Sequence, residues 1–310
     1  MDEWNEWDYA LQFQQKEDTS PVGRILNGAI DLHLHFEPEP WMTRRFDALE
    51  TALHARESGL GGFVLKNRAY CTEPLARLVR RIVPDVFVFG SLTLDGEVGG
   101  LNYRAVKGAV AMGTKVLWMP VFYSANSKRV VERNFGLDLG GEAITIVDGS
   151  GTLLPVVRDI LGVAREHDMV VNVGHVSPRE VFALAEECSR IGLTNLIATH
   201  PMSTIVFEEA LTLEDAVSLA KAGVYIEYCA QFVSPTGDGL SPAAVADHMQ
   251  AVGPEHCVIT SDFGGTPHPT VAEGLRMFIS SLLKKGMAEA DIETMVKRNP
   301  RTLLGLPVLD

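Results

Sequence analysis

The sequence predicts an α/β protein folded as a (β/α)8 barrel of the TIM type. Two observations carry this prediction: eight short apolar runs recur along the chain, and amphipathic stretches alternate with them. Apolar strands that alternate with helices are typical of a parallel sheet covered on its outside, and eight repeats favour closure into a barrel. The predicted strands are Ala29–His35, Gly62–Asn67, Val86–Leu94, Lys115–Val121, Met169–Val176, Leu196–Met202, Val224–Ala230 and Val258–Gly264.

The predicted helices lie between these runs and are rich in good helix formers. Most end at a glycine, such as Gly59, Gly192 or Gly223, as helices commonly do. The alternative, a doubly wound open sheet, would favour a G-x-G-x-x-G turn after an early strand, and the glycine-rich run 59–62 lacks that pattern. The predicted helices are Phe46–Ser58, Glu73–Ile82, Leu154–His167, Pro178–Ile191, Leu213–Ala222 and Pro242–Val252.

Two segments interrupt the alternation. Residues 1–24 are a polar arm, too short for a domain, so we expect one barrel domain over 25–310, with the arm folded against it or against a neighbouring subunit. The long segment Tyr123–Thr152 follows strand four, and within it Ala143–Val147 followed by Asp148-Gly149 predicts a small hairpin. Such an insertion would lie over the barrel mouth and help to shape a pocket. The aromatic residues of the arm are Trp4, Trp7, Tyr9 and Phe13.

Composition narrows the functional classes. The formal net charge is −13 and basic clusters are absent from the sequence, which argues against a nucleic-acid partner. The acidic N-terminus does not resemble a secretory signal, and no apolar run is long enough to cross a bilayer, so we expect a cytoplasmic protein without a membrane partner. The four cysteines lack C-x-x-C spacing and predict neither a disulfide framework nor a zinc finger; they are Cys71, Cys188, Cys229 and Cys257.

The pattern with most chemical content is the H-x-H pair at the end of the first strand. A strand projects alternate side chains onto one face, so His33 and His35 are expected to point the same way. Other predicted strands end in Lys66, His175, His200 and Asp262. Strand carboxyl ends converge on one mouth of a barrel, where active sites are built. Four imidazoles and a carboxylate on that rim predict a catalytic metal site, suited to zinc, manganese, iron or nickel.

This order of residues resembles the amidohydrolase superfamily of metal-dependent hydrolases. The resemblance spans roughly residues 25–308 and includes the closing segment Asn299–Leu306, which is similar to the N-P-x-x-L-L-G-L ending of many members. It implies a distorted barrel that binds one or two divalent metals, with zinc the first expectation, and that hydrolyses amide, ester, lactone or phosphoester bonds. Carried over by position, His33, His35 and Asp262 match the first-metal ligands, and His175 and His200 match the second-metal ligands.

One departure from the family concerns the bridging ligand. Two-metal members usually bridge their ions with a carboxylated lysine or a glutamate at the end of strand four, and here Lys115–Val121 offers no carboxylate there. Lys66, at the end of strand two, is the substitute, provided that its pKa falls from the usual value of about 10.4. Lys66 is alternatively a partner for a substrate carboxylate or for an acid on the rim. The number of metal ions therefore stays open.

The expected chemistry follows from the resemblance. On this hypothesis the metal lowers the pKa of bound water, Asp262 accepts the proton as general base, and the hydroxide attacks a carbonyl carbon. Protonated Asp262 then delivers the proton to the leaving group, and His200 or His175 polarises the carbonyl if one ion is bound.

The substrate is expected to be a small organic molecule bound at the mouth. The mostly apolar strand ends favour an amide, a cyclic amide or imide, or a lactone over a phosphate, and Arg68 is suited to clamp a carboxylate. Trp41 and Phe36 are candidates for an apolar wall. The predicted substrate-binding residues are Asn67, Arg68, Tyr70, Tyr228 and His268, with Tyr123 and Glu227 as further candidates.

The sequence also leaves other functional classes open. A branch of the same superfamily comprises metal-dependent decarboxylases and lyases, and a metal-binding protein without turnover would show the same ligands. A phosphoesterase of the separate polymerase-and-histidinol-phosphatase type also opens with H-x-H, but its D-x-H near the end is not matched by Asp262–Gly264. We also expect a homo-oligomer.

Overall fold

The computed structural model describes residues 18–307, and in them eight parallel strands form a barrel with helices around its outside. Along the sheet the strands follow the order of the chain, and every neighbouring pair from first to last is parallel. The predicted (β/α)8 barrel is confirmed. The strands are β1 (Ile30–His35), β2 (Gly62–Lys66), β3 (Phe87–Thr93), β4 (Val116–Trp118), β5 (Val170–Asn172), β6 (Leu196–Ala198), β7 (Tyr225–Cys229) and β8 (Cys257–Thr260).

Several helices begin or end at local sequence signals. Asp47 and Thr212 form capping boxes before the second and eighth helices, and Gly192 ends the seventh with a left-handed φ of +73°. The α-helices are α1 (Pro21–Leu26), α2 (Ala48–Glu57), α3 (Glu73–Ile82), α4 (Tyr103–Met112), α5 (Lys128–Phe135), α6 (Pro155–Glu166), α7 (Pro178–Ile191), α8 (Leu213–Lys221), α9 (Pro242–Val252), α10 (Val271–Lys284), α11 (Glu289–Glu293) and α12 (Asn299–Leu304). Shorter 3₁₀ turns span Gly96–Val98, Ala230–Val233 and Pro254–His256, and a π-helical segment spans Thr294–Arg298.

Backbone hydrogen bonds between the first and last strands close the barrel. The amide of Asp262 donates to the carbonyl oxygen of His33 at 2.8 Å, and the amide of His35 donates to that of Phe263 at 2.8 Å. Leu34 and Phe263 form a parallel bridge at the same place. The seam of the barrel therefore lies at residues that the sequence analysis assigns to the metal site.

The hydrophobic core has two layers, one inside the barrel and one between the strands and the outer helices. The inner layer contains Ile30, Val64, Trp118 and Val258, and Leu303 of α12 packs with it. Strand β1 changes layers along its length, because its pairing with β2 slips by one residue between Asp31 and Leu34. This slip was not expected from the simple alternation of the sequence.

The insertion after β4 is richer than the predicted hairpin. It contains α5, which the sequence analysis did not include. The hairpin is reduced to a single antiparallel bridge between Val147 and Leu153 around the turn at 148–151. Phe135 and Leu137, at the end of α5, line the pocket at the barrel mouth, where the insertion was expected to lie.

Part of the predicted arm lies outside the described residues. Trp4, Trp7, Tyr9 and Phe13 are among them, so the arm and its expected contacts stay predictions. Across 18–307, no helix combines the length and the apolar character needed to cross a membrane.

Candidate metal centre

Side chains from four strands meet at the carboxyl end of the barrel. His33 and His35 belong to the end of β1. His175 and His200 lie just beyond β5 and β6, and Asp262 lies just beyond β8. All four histidines are buried, and the Asp262 side chain keeps 21% of its surface exposed. The five residues that the sequence analysis assigned as ligands are therefore brought to one place.

His33, His35 and Asp262 form the tighter of two groups. Asp262 Oδ1 lies 3.0 Å from His33 Nε2 and 3.2 Å from His35 Nε2. The potential ligand atoms of the three residues all lie within 4.8 Å of one another. Asp262 adopts a left-handed backbone with φ +53°, a conformation that costs a non-glycine residue free energy. The barrel seam holds Asp262 in this conformation.

The contacts of His33 leave one ring nitrogen directed at Asp262. His33 Nδ1 lies 3.0 Å from Oε1 of Glu227, a carboxylate that only accepts hydrogen bonds, so Nδ1 carries a proton and donates. In the neutral ring the Nε2 atom then has a lone pair directed at the Lys66 ammonium group, 2.8 Å away. In the protonated ring the same Nε2 atom donates to Asp262 Oδ1. A histidine fixed by a carboxylate on its far nitrogen is the usual arrangement around protein metals.

Two carboxylates, those of Asp262 and Glu227, lie next to His33 and favour a positive charge on its ring. Burial opposes the imidazolium, but Asp262 and Glu227 outweigh it and raise the pKa of His33. Burial alone would raise the pKa of Asp262, yet His33 and the hydrogen bonds from His33 and His35 lower it well below its usual value. The Asp262 carboxylate is therefore ionised at neutral pH and faces Nε2 of two imidazoles.

His175 and His200 form the second group. Their Nε2 atoms lie 3.2 Å apart, and burial lowers the pKa of both, that of His175 well below the usual range. Ser127 fixes the His175 ring: its hydroxyl donates to the Val206 carbonyl oxygen at 2.6 Å and so accepts from His175 Nδ1 at 2.9 Å. His200 Nδ1 is buried without a hydrogen-bond partner among the described residues. Two neutral imidazoles thus face each other, with at most one proton between their Nε2 atoms.

The two groups are adjacent. The ring centroids of His33 and His200 are 5.9 Å apart, with the rings nearly parallel. Lys66 lies beside His33 and stacks its ammonium group over the Trp118 ring at 3.9 Å. Burial lowers the pKa of Lys66, although Asp262 and Glu227 oppose this. In residues 18–307 no carboxylate forms an ion pair with Lys66, and its role as a bridging ligand stays a prediction.

A cavity of about 480 Å³ opens above the two groups. His35, Lys66 and Asp262 line its inner end, together with His175 and His200. Its walls are mostly apolar and come from several loops; they include Trp41, Met42, Phe122, Phe135, Ile205 and Phe232. The volume is that of a pocket for a small organic molecule.

Of the predicted substrate-binding residues, Arg68 and His268 line this cavity. Tyr228 does not, which corrects the expectation: it is fully buried against α9, where its hydroxyl lies 2.7 Å from His248 Nδ1. Asn67 and Tyr70 are also outside the lining, because their side chains donate to the Pro38 carbonyl oxygen, at 2.8 and 3.2 Å.

Of the further candidates from the sequence, one lines the cavity and three do not. Trp41 lines the cavity, whereas Phe36 is fully buried in the outer layer of the core. Tyr123 donates from its hydroxyl to the Leu139 carbonyl oxygen at 2.6 Å and is not part of the lining. Glu227 lies inside the barrel and contacts His33 rather than the cavity.

Sequence reasoning missed Arg44, Glu39 and Ser127. Arg44 lines the cavity and is paired with buried Glu39, which also pairs with Arg68. Both residues lie in the loop after β1, where charged side chains ordinarily face solvent, so the sequence carried no signal of their burial. The Ser127 contact with His175 depends on the path of the insertion after β4 and had no signal either.

A family model matches residues 28–227, and its description is a family of unknown function, DUF6282. The chain belongs to DUF6282. The matched region of this DUF6282 chain contains the four histidines and Lys66 and stops before Asp262. No curated protein matches the sequence.

Solved structures show what the DUF6282 fold is similar to. A probable dipeptidase from Pseudomonas aeruginosa matches with a TM-score of 0.62 and 13% identity, covering 96% of this chain and 98% of that one. An amidohydrolase from Burkholderia multivorans with bound zinc matches with a TM-score of 0.56 and 14% identity, over 90% and 99%. A probable 2-pyrone-4,6-dicarboxylic acid hydrolase from Acinetobacter baumannii matches with a TM-score of 0.56 and 13% identity, over 90% and 100%. The DUF6282 chain therefore has the fold of amidohydrolases.

The residues of the centre fit a divalent cation. The first group offers two imidazole Nε2 atoms and an ionised carboxylate around one point, and the second offers two neutral imidazoles. Nitrogen and carboxylate ligands of this kind suit zinc and its neighbours in the first transition row. A second cluster, His33 with Glu227 and Cys229, fits less well. Burial and the nearby carboxylates raise the pKa of Cys229 well above its usual value, so its thiol stays protonated.

Proposed function

We propose that this chain is a metal-dependent hydrolase that cleaves an amide, a cyclic amide or imide, or a lactone of a small organic substrate. The observation that carries the proposal is the convergence of His33, His35 and Asp262, with ligand atoms within 4.8 Å of one another at the inner end of a cavity. The hydrolases with this fold support it, and the zinc-bound Burkholderia amidohydrolase makes zinc the first metal to test. A cytoplasmic location and a homo-oligomeric assembly remain predictions from the sequence.

The roles of the side chains follow from their positions. His33, His35 and Asp262 would hold one cation and His175 and His200 a second, with Lys66 as the candidate bridge. When bound, such a cation lowers the pKa of water and polarises a carbonyl group. Asp262 is the candidate general base because it is ionised and its side chain is 21% exposed at the cavity. After accepting the proton of water, Asp262 would pass it to the leaving nitrogen or oxygen.

His200 has the second catalytic role in the proposal. It lines the cavity, and its Nδ1 atom has no hydrogen-bond partner within residues 18–307. If only the first group binds a cation, a protonated His200 nitrogen can donate to the substrate carbonyl oxygen. This hydrogen bond would stabilise the negative charge that develops on oxygen during attack.

The test combines metal analysis with a substrate panel. The metal content of the purified protein is measured by plasma mass spectrometry, before and after dialysis against a chelator and reloading with zinc. The reloaded protein is then assayed with a cyclic imide, a hydantoin, a lactone, an N-acyl amino acid, an aryl phosphate and an aromatic carboxylate. Metal-dependent hydrolysis of one of the first four supports the proposal. Release of CO2 from the carboxylate would point to a decarboxylase, hydrolysis of the phosphate to a phosphoesterase, and bound metal without turnover to a binding protein.

A further inference from the structure

Two buried arginines line the cavity beside the metal centre. The side chains of Arg44 and Arg68 are only 4% and 3% exposed, yet both belong to the cavity wall. Arg44 comes from the loop after β1 and Arg68 from the end of β2, so two separate segments bring their charges together. A buried guanidinium is costly unless it is paired, which makes two of them in one wall unusual.

A single carboxylate positions both guanidinium groups. Glu39, whose side chain is fully buried, accepts from Arg44 Nε at 2.5 Å and from Arg68 Nη2 through its other oxygen. Glu39 itself is not part of the cavity wall. In residues 18–307 it is the only acid with which either arginine forms an ion pair. One carboxylate therefore pairs directly with both guanidinium groups, while other acids, Asp262 of the cavity wall among them, act on them only without an ion pair.

Arg68 also retains unused donor capacity. Its Nε atom is buried without a hydrogen-bond partner in the described part of the chain. Its guanidinium carbon lies 3.7 Å from the centroid of the Phe122 ring, which fixes the plane of the group. Burial lowers the pKa of both arginines to about 10, so both stay charged at neutral pH. The Arg68 guanidinium group is held in one plane, is charged and has a donor without a partner, so it is suited to bind a planar carboxylate.

The rest of the wall is apolar and limits the kind of anion. Beyond the arginines and the metal centre it consists largely of side chains such as Trp41, Phe135 and Phe232. Such walls favour a molecule with an apolar body and a single charged group. An arginine fork also binds phosphate, so phenyl phosphate is the competing anion to test.

We propose that Arg44 and Arg68 bind a carboxylate of the substrate, so that the substrate class is small organic acids with an apolar body. The cleaved bond would then lie on the metal side of that carboxylate. This inference deepens the proposed hydrolase function and rests on it for the cleaved bond. The recognition of the carboxylate is nevertheless measurable without turnover.

The test uses matched probes that differ only in charge. N-benzoylglycine and N-benzoylglycinamide are titrated calorimetrically into the zinc-loaded and the metal-free wild-type protein, together with phenyl phosphate and two further pairs of an aromatic acid and its amide. We expect an acid to bind about 10- to 100-fold more tightly than its amide, as a charge-assisted hydrogen bond provides. The metal-free arm removes any preference due to direct contact between the carboxylate and zinc.

Substitutions then assign the preference to the two arginines. Arg44→Gln and Arg68→Gln should each reduce the preference for the acid about tenfold and leave the affinity for the amide unchanged. Each leaves Glu39 paired with the other arginine, which protects the fold. Arg129→Gln is the matched control, because Arg129 is 81% exposed and pairs with Glu208 outside the cavity.

Each outcome decides between the two proposals. No preference for any acid in the wild type, a preference that survives in both cavity variants, or tighter binding of phenyl phosphate would overturn the assignment. Turnover of a neutral amide or lactone with no acid preference would leave the hydrolase standing and remove the carboxylate subsite. If the preference for acids depends on the arginines but the protein shows no metal-dependent turnover, the carboxylate subsite stands and the hydrolase proposal fails.

Discussion

Replacing Glu227 with glutamine should weaken zinc binding about 10- to 100-fold, the range found when a partner behind a metal-binding histidine is lost. Glu227 is 1% exposed, and its Oε1 lies 3.0 Å from His33 Nδ1. Glutamine keeps the shape but replaces a charge-assisted hydrogen bond with a neutral one. The difference between the two is about 1 to 2 kcal/mol, which converts to a loss of roughly 5- to 30-fold from this contact alone.

The measurement is a competition titration of zinc between the protein and a chelating indicator at fixed pH. Thr260→Val is the matched control, because Thr260 donates to the same Oε1 atom at 3.0 Å without contacting His33 through its side chain. Its affinity for zinc should fall much less than that of Glu227→Gln. Wild-type affinity in Glu227→Gln, or an equal loss in Thr260→Val, would refute the idea that Glu227 acts by orienting His33.

Three further predictions concern the base, the core and the metal. Asp262→Asn should weaken zinc binding and, after reloading to the wild-type zinc content, should still lower kcat about 100- to 10,000-fold; near-wild-type turnover of the reloaded variant would refute the role of Asp262 as base. Leu303→Ala should lower the free energy of unfolding in urea by about 2 to 5 kcal/mol, because Leu303 of α12 is fully buried against the inner layer of the core. Leu78→Ala on the surface should change it by less than about 0.5 kcal/mol. Chelation should lower the Tm in calorimetry and zinc should restore it, since free zinc at 100 times its Kd stabilises by about 2.7 kcal/mol; a Tm unaffected by zinc would contradict binding to the native state.

The fold and the ligand positions were predictable because both follow from periodic patterns. Eight apolar runs that alternate with helical stretches favour a barrel, and barrel geometry then places the last residues of each strand at one mouth. His175, His200 and Asp262 could therefore be grouped with the H-x-H pair although they lie far apart in the sequence. Their functional roles still rest on the proposal.

The substrate-binding residues were less predictable because the sequence does not show which of two alternating residues at a strand end faces the barrel interior. Tyr228 was expected at the mouth, but it lies on the outer face of β7 and contacts His248. Asn67 follows β2 and turns away to anchor the loop at Pro38. Arg44 belongs to that loop, whose path is determined by contacts between distant segments that no single-strand pattern encodes.

The position of the barrel seam has a consequence for how the protein matures. His33 and Asp262 come from the first and the last strand, and the backbone bond between them is one of those that close the sheet. During synthesis, Asp262 must leave the ribosome before the proposed first ligand set can assemble. If this set binds a cation tightly, its uptake would report that the last strand has joined the first, and a nascent product that stops before Asp262 would retain His33 and His35 without the carboxylate.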